Sequence, residues 1–230
     1  MNHSSPNQAL HLAKNEVLTF GCMVEMAILD SVAALKDHDF ERSQILIEYD
    51  KTINAKRFEI EQTVIGVISA RHPAGRDLRI LSSILDLSRE LERIGDYAKG
   101  IAVINLRSGG ISLPRLLKDL YHMSLRSADM VHRALTAFNL EDVKLADAII
   151  QEDILIDSLY NQLYFEVLDS VVDDARNIER VNHVLWVGHN LERMADRACN
   201  ICERVIFIAT GKAGEVSIPF ASAVHQFDHA

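Results

Sequence analysis

Two carboxylate pairs pose the chemical question in this sequence. Glu92 and Asp96 stand four residues apart, and so do Glu192 and Asp196. On a helix that spacing puts both members of a pair on one face, one turn apart. Like charges so placed cost a helix about 0.2–0.5 kcal/mol, so a pair that recurs asks for a compensating partner. More acids precede each pair: Asp153 and Asp157 in the second half, and Asp50 with Asn54 in the first. If the helices that carry them run antiparallel, these oxygens converge. Crowded carboxylates repel unless they are protonated or bridged by a cation. Oxygen donors suit hard cations such as Mg²⁺, Ca²⁺, Mn²⁺ or iron, and spacing alone does not choose among them. The competing reading is a solvated acidic face, the usual fate of such residues.

Other reactive residue types make weaker patterns. Cys199 and Cys202 form a single Cys-x-x-Cys on a helix with no second pair, which reads as two small packing residues rather than zinc or redox chemistry. With Cys22 the cysteine count is odd, so no disulfide framework is expected. His183 and His189 are either outer ligands or ordinary surface histidines. Arg93 and Arg193 directly follow the glutamates and are candidate partners for carboxylates on a neighbouring helix. His225, Asp228 and His229 look ligand-like but belong to a terminal tail. No nucleophile elbow, P-loop or dinucleotide fingerprint occurs, so no catalytic residue is assigned.

The elements that must position the acids are helices. Only four prolines and ten glycines punctuate 230 residues, too few for a strand-rich chain. The first helix is predicted from Ser5-Pro6 to Lys36, with serine as cap and proline at its first position. A second runs from Asp39 to Arg71 and breaks at His72-Pro73-Ala74-Gly75. A third spans Arg76 to Arg107. Ser112-Leu113-Pro114 opens a fourth, ending near Asn139. A fifth covers Glu141 to Val172, and a sixth runs from Ala175 to Thr210, stopped by Gly211.

The halves repeat. Met23, Ala34 and Leu35 match Met123, Ala134 and Leu135 at an offset of 100. In the second helix the offset is 103: Asp39, Ile47, Asp50, Ile53 and Val64 match Asp142, Ile150, Asp153, Ile156 and Val167. It returns to 100 for Leu91, Glu92, Arg93, Asp96, Ala98 and Ile101 against Leu191, Glu192, Arg193, Asp196, Ala198 and Ile201. Length changes fall in the connections, as a shared fold requires. Leu91, Ile94, Ala98 and Ile101 trace a bundle seam, repeated by Leu191, Met194, Ala198 and Ile201. The carboxylate pairs point away from that seam, to an outer face or groove rim. The expected fold is all-α: six long helices in two tandem, pseudo-symmetric, up-and-down three-helix bundles. The first repeat is residues 1–110, the second 111–211, and 212–230 a tail.

The net charge of −9 disfavours nucleic acid and anionic membrane surfaces and agrees with a cation or a basic protein partner. No secretory signal or stretch of about 18 apolar residues is evident, so no membrane insertion is expected.

LERIGDYAKGIA from Leu91 and LERMADRACNICE from Leu191 resemble the paired signature of the PhoU family, as does the ARHPAGRDLR turn from Ala70 to Arg79. The resemblance covers nearly the whole chain, and two signatures a hundred residues apart are specific. It implies side-by-side three-helix bundles, often a homodimer, in a cytoplasmic regulator of phosphate uptake. Such proteins couple the ATPase of the phosphate ABC transporter to a sensor histidine kinase and repress the phosphate-starvation response. It also implies surface metal, iron or zinc, held here by Asp50, Glu92 and Asp96 in one half and by Asp153, Asp157, Glu192 and Asp196 in the other. Asn54 stands where that pattern has an acid, and Gly100 where the second half has Asn200; both weaken the first site. Two alternatives stand beside this reading. One is a metal-free helical scaffold. The other is a ferritin-type di-iron enzyme, disfavoured because no Glu-x-x-His occurs.

Overall fold

The computed structural model describes residues 6–111, 113–173 and 178–212. The cap at Ser5, Ser112, the predicted opening of the sixth helix at Ala175 and the tail residues His225, Asp228 and His229 lie outside them. Six helices follow one another: α1 (Pro6–Lys36), α2 (Phe40–Arg71), α3 (Gly75–Ser108), α4 (Pro114–Leu140), α5 (Val143–Asp173) and α6 (Ile178–Thr210). Each is about 40–50 Å long at 1.5 Å per residue.

Local signals explain the boundaries. Asp39 caps α2 by accepting a hydrogen bond from the Arg42 N–H at 2.8 Å. Asp142 caps α5 in the same way through the N–H groups of Lys144 and Leu145. α3 ends at Gly109, whose φ of +63° is the left-handed conformation that reverses the chain at low cost.

Within each repeat all three helices touch one another, and the repeats meet through α1 against α4 and α3 against α6. These four helices form a closed ring, with α2 and α5 packed on opposite flanks. The two repeats share one continuous apolar core, which runs from Ala13 to Ile208 and takes in Ile111 of the connection. The sequence correspondences recur in it: Phe20 with Leu120, Leu46 with Ile149, Ile60 with Leu163 and Leu91 with Leu191 are all buried. α3 and α6 cross antiparallel. Arg79 Nε donates to the Ile208 carbonyl near one end, and Asn200 of α6 donates to Glu90 of α3 nearer the middle.

α1 departs from expectation. Its stretch Gln8–Lys36 contains an 18-residue window with a mean hydropathy of 1.7, long and apolar enough by composition to cross a membrane. Half of that window is buried within the fold, with Val17, Phe20, Val24 and Ile28 fully covered. Its apolarity serves packing against α2, α3 and α4.

Candidate metal centre

A close helix crossing brings the first set of acids together. Gly95 lies between Glu92 and Asp96, and a Cβ on it would stand 2.9 Å from Ile53 Cγ2. Ile53 in turn lies between Asp50 and Asn54. The missing side chain lets α2 settle onto α3 where the acids are. In the second half Ala195 and Ile156, both buried, occupy the matching places.

In the α5–α6 groove Asp153 is half-buried and Asp157 stands exposed on the rim, facing Glu192 and Asp196. Burial first, and then the charges of Asp157 and Asp196, push the Asp153 carboxyl up to about 6. Asp157 is raised by burial and by Asp196, and Glu192 by burial and Asp196, against the opposing pull of His189 and Arg193. His189 Nδ1 lies 3.3 Å from Glu192 Oε2 but off a hydrogen-bonding angle, so Oε2 is buried without a hydrogen-bond partner. Arg193 holds Asp196 Oδ2 at 2.8 Å and lies beside Tyr97 of α3. Cys199 lies beside Asp153, and burial and that carboxylate push its thiol far up. Cys202 is a fully buried core residue, its thiol raised by burial to about 12.

The α2–α3 groove has the same framework with different chemistry. Asp50 is buried, and its Oδ2 accepts from Lys99 Nζ at 2.7 Å and from Asn54 Nδ2 at 3.1 Å. Asn54 Nδ2 also reaches the Asp50 carbonyl, at 2.9 Å. Glu92 is raised by burial and by Asp96, while Arg93 and Arg57 oppose the shift. Asp96 is raised by burial and by Asp50, while Lys99 and Arg93 oppose it. Arg93 hovers 3.8 Å from Asp96 and 4.0 Å from Glu92.

The expected residues therefore fall into the two expected groups, with one exception. Asn200 points away from both, donating to Glu90 Oε2 at 2.9 Å beside Arg197. Gly100 faces Asn190 instead of an acid. His183 lines a groove of about 610 Å³ between α3 and α6 together with Asp96, Lys99 and Trp186. Three participants are not evident from the acid spacing: Lys99, Arg57 and, as a site member, Cys199. The internal repeat could have found them, because the offsets set Lys99 against Cys199 and Arg57 against Tyr160.

Among the described residues no three His, Cys, Asp or Glu side chains already form a closed cation cage. In the α5–α6 groove four carboxylates and the absence of a lysine nonetheless fit a cation in charge and donor type; the buried unpartnered oxygen there, Oε2 of Glu192, has a counterpart in the α2–α3 groove, Oδ1 of Asp50.

The PhoU domain family matches residues 17–104 and 120–205. The chain belongs to the PhoU family. The two matched segments coincide with the two repeats, each ending at its signature helix. The phosphate-specific transport system accessory protein PhoU of Escherichia coli (strain K12) is 31% identical over 206 residues, covering 90% of this chain and 86% of that protein. A PhoU homolog of that accessory protein from Pseudomonas aeruginosa is 35% identical over 207 residues, covering 89% of this chain and 85% of its own. The crystal structure of PhoU from Pseudomonas aeruginosa superposes with a TM-score of 0.84 at 33% identity, over 90% of this chain and all of the other. The phosphate transport system regulatory protein PhoU from Streptococcus pneumoniae gives the same TM-score at 29% identity, over 92% of this chain and all of its own.

Proposed function

We propose that this PhoU-family chain is a non-enzymatic regulator of phosphate uptake. It acts in the cytoplasm, couples the ATPase of the phosphate ABC transporter to a sensor histidine kinase, and represses the phosphate-starvation response. Support comes from the relatives named as phosphate-specific transport accessory proteins, matched over nearly their full length. The observation that carries the molecular part is the cluster of four carboxylates in the α5–α6 groove, which Arg193 alone among lysines and arginines offsets, through its ion pair with Asp196. There Asp153, Asp157, Glu192 and Asp196 would hold a metal ion, iron or zinc being the leading candidates. The metal supplies positive charge that ties α5 to α6 and resets the charge of the docking face.

The acidic chain, at −9, would dock onto basic surfaces of its partners. Exposed Ile154, Phe165 and Leu168 on the outer side of α5 are candidates for the homodimer contact. The di-iron enzyme is disfavoured by position: the seam between the helices is lined by Leu91, Ile94, Ala98 and Ile101, all buried, while the acids lie in outer grooves. A pull-down with the transporter ATPase and the cytoplasmic part of the kinase, at high and low phosphate, tests the coupling. Binding to both partners is expected; binding to neither under either condition refutes it.

A further inference from the structure

The two grooves are built on one plan, yet three matched positions differ, and all three differ in the same electrostatic direction. Asn54 stands opposite Asp157, Lys99 opposite Cys199, and Arg57 opposite Tyr160. The first groove thus holds three carboxylates with a lysine among them and an arginine acting on Glu92. The second holds four carboxylates with no counterpart of Lys99 or Arg57; its one arginine, Arg193 on Asp196 at 2.8 Å, is matched in the first groove by Arg93 near Asp96 at 3.8 Å. The lysine is not a bystander on the rim. Its Nζ is 2.7 Å from the Oδ2 of Asp50, a carboxylate whose side chain is 7% exposed. It has the same oxygen partner, on the same helix pair, that a bridging cation would need.

We propose that Lys99 is a tethered counter-ion that stands in for metal in the first repeat, so that the protein loads cation only in the second. A divalent ion entering the α2–α3 groove would have to expel an ammonium anchored to a buried acid, or sit beside it against like-charge repulsion. Asn54 adds to the exclusion, since its amide nitrogen already donates to Oδ2 and offers the cation no charge. One face of the protein is then set by covalent structure and indifferent to metal supply, while the matching face changes charge and rigidity with it. This rests on the reading that the α5–α6 acids take metal, and the test separates the two.

The full-length protein is stripped with chelator and titrated with Zn²⁺, bound metal being counted by equilibrium dialysis and elemental analysis. Zinc uptake that is lost in Glu192→Ala/Asp196→Ala and unchanged in Glu92→Ala/Asp96→Ala is expected, the first groove binding roughly a hundredfold more weakly. Asn54→Asp/Lys99→Ser, which remakes the first groove in the image of the second, should add zinc that Asp96→Ala then removes. Equal zinc loss from both double-alanine variants, or no added zinc in Asn54→Asp/Lys99→Ser, overturns the proposal. If the wild type takes no zinc while Asn54→Asp/Lys99→Ser does, the role of Lys99 stands and the metal reading of the second groove falls. Hydrogen exchange gives a readout independent of metal counting. Without metal, Lys99→Ser should raise amide exchange in α2 severalfold while Lys99→Arg does not, and adding chelator to the zinc-loaded wild type should raise it in α5 but leave α2 unchanged. Loss of protection in α2 of the wild type on chelation contradicts the assignment.

Discussion

Replacing Asp153 by asparagine should make the metal-free protein more stable. Burial and neighbouring acids raise the Asp153 carboxyl from 3.8 to about 6. A raised carboxyl favours folding while it is protonated, so its contribution is full below the unfolded pKa and is lost as pH rises through about 6. At pH 8 the folded protein carries the charge in an unfavourable place. About two units at about 1.4 kcal/mol each would give about 3 kcal/mol. The groove is half open to water, which screens the charges and reduces this to about 1–1.5 kcal/mol. Asp153→Asn removes the charge and keeps the size and one oxygen of the side chain. Thermal unfolding in excess chelator should therefore show Tm higher than wild type by about 2–5 °C at pH 8, with no difference at pH 4. In saturating metal the order should invert, because the variant has lost a ligand. A variant less stable than wild type in chelator at pH 8 would refute the electrostatic reasoning.

Three further outcomes follow from the same coordinates. Metal affinity should fall as pH drops through about 6, where Asp153 takes up its proton; isothermal titration from pH 5 to 8 reads this directly, and a flat profile counts against Asp153 as a ligand. Gly95→Val should cost about 1–3 kcal/mol, because a Cβ there would meet Ile53 Cγ2 at 2.9 Å; denaturant melts measure it, and Ala195→Val should be costly too, since that residue is fully buried. Asn105→Ala should destabilise by about 1–3 kcal/mol, because its buried amide donates to the Ala34 carbonyl at 3.0 Å and to Ser43 Oγ at 2.9 Å, pinning the end of α1 to α2 and α3.

Much of the fold was legible because helix periodicity and caps are local. Pro6, Asp39 and Pro114 mark real helix starts, and His72 marks a real end. The fifth helix, expected from Glu141, opens at Val143 instead, because Glu141 takes a left-handed φ of +55° as the cap of α4 and Asp142 caps α5. The repeat offsets carried the pairing of grooves, since matched residues occupy matched positions in the core. The shared core was not legible. Whether α3 packs on α6 or only on its own bundle depends on tertiary contacts that a stripe on one helix does not specify. The apolar strength of α1 was also underestimated, because Glu25 and Asp30 interrupt the apolar run while the 18 residues around them still average 1.7 in hydropathy.

In the site, the acids could be found by spacing, and what neutralises them could not. Lys99 lies three residues beyond Asp96, an ordinary helix-surface spacing, and its reach to Asp50 depends on how closely α2 packs at Gly95. The direction of Asn200 was not legible for a similar reason. Its position on α6 suggested the groove, but the antiparallel crossing aims it at Glu90 on the other side of the seam.

The most direct measurement is a crystal structure grown with Zn²⁺ or iron and recorded on both sides of the metal's absorption edge. Anomalous density bonded to oxygens of Glu192 and Asp196, with Asp153 or Asp157 drawn in and none beside Lys99, is the expected result. Diffraction of good quality from metal-saturated protein with no anomalous peak in the α5–α6 groove would contradict the account at its centre.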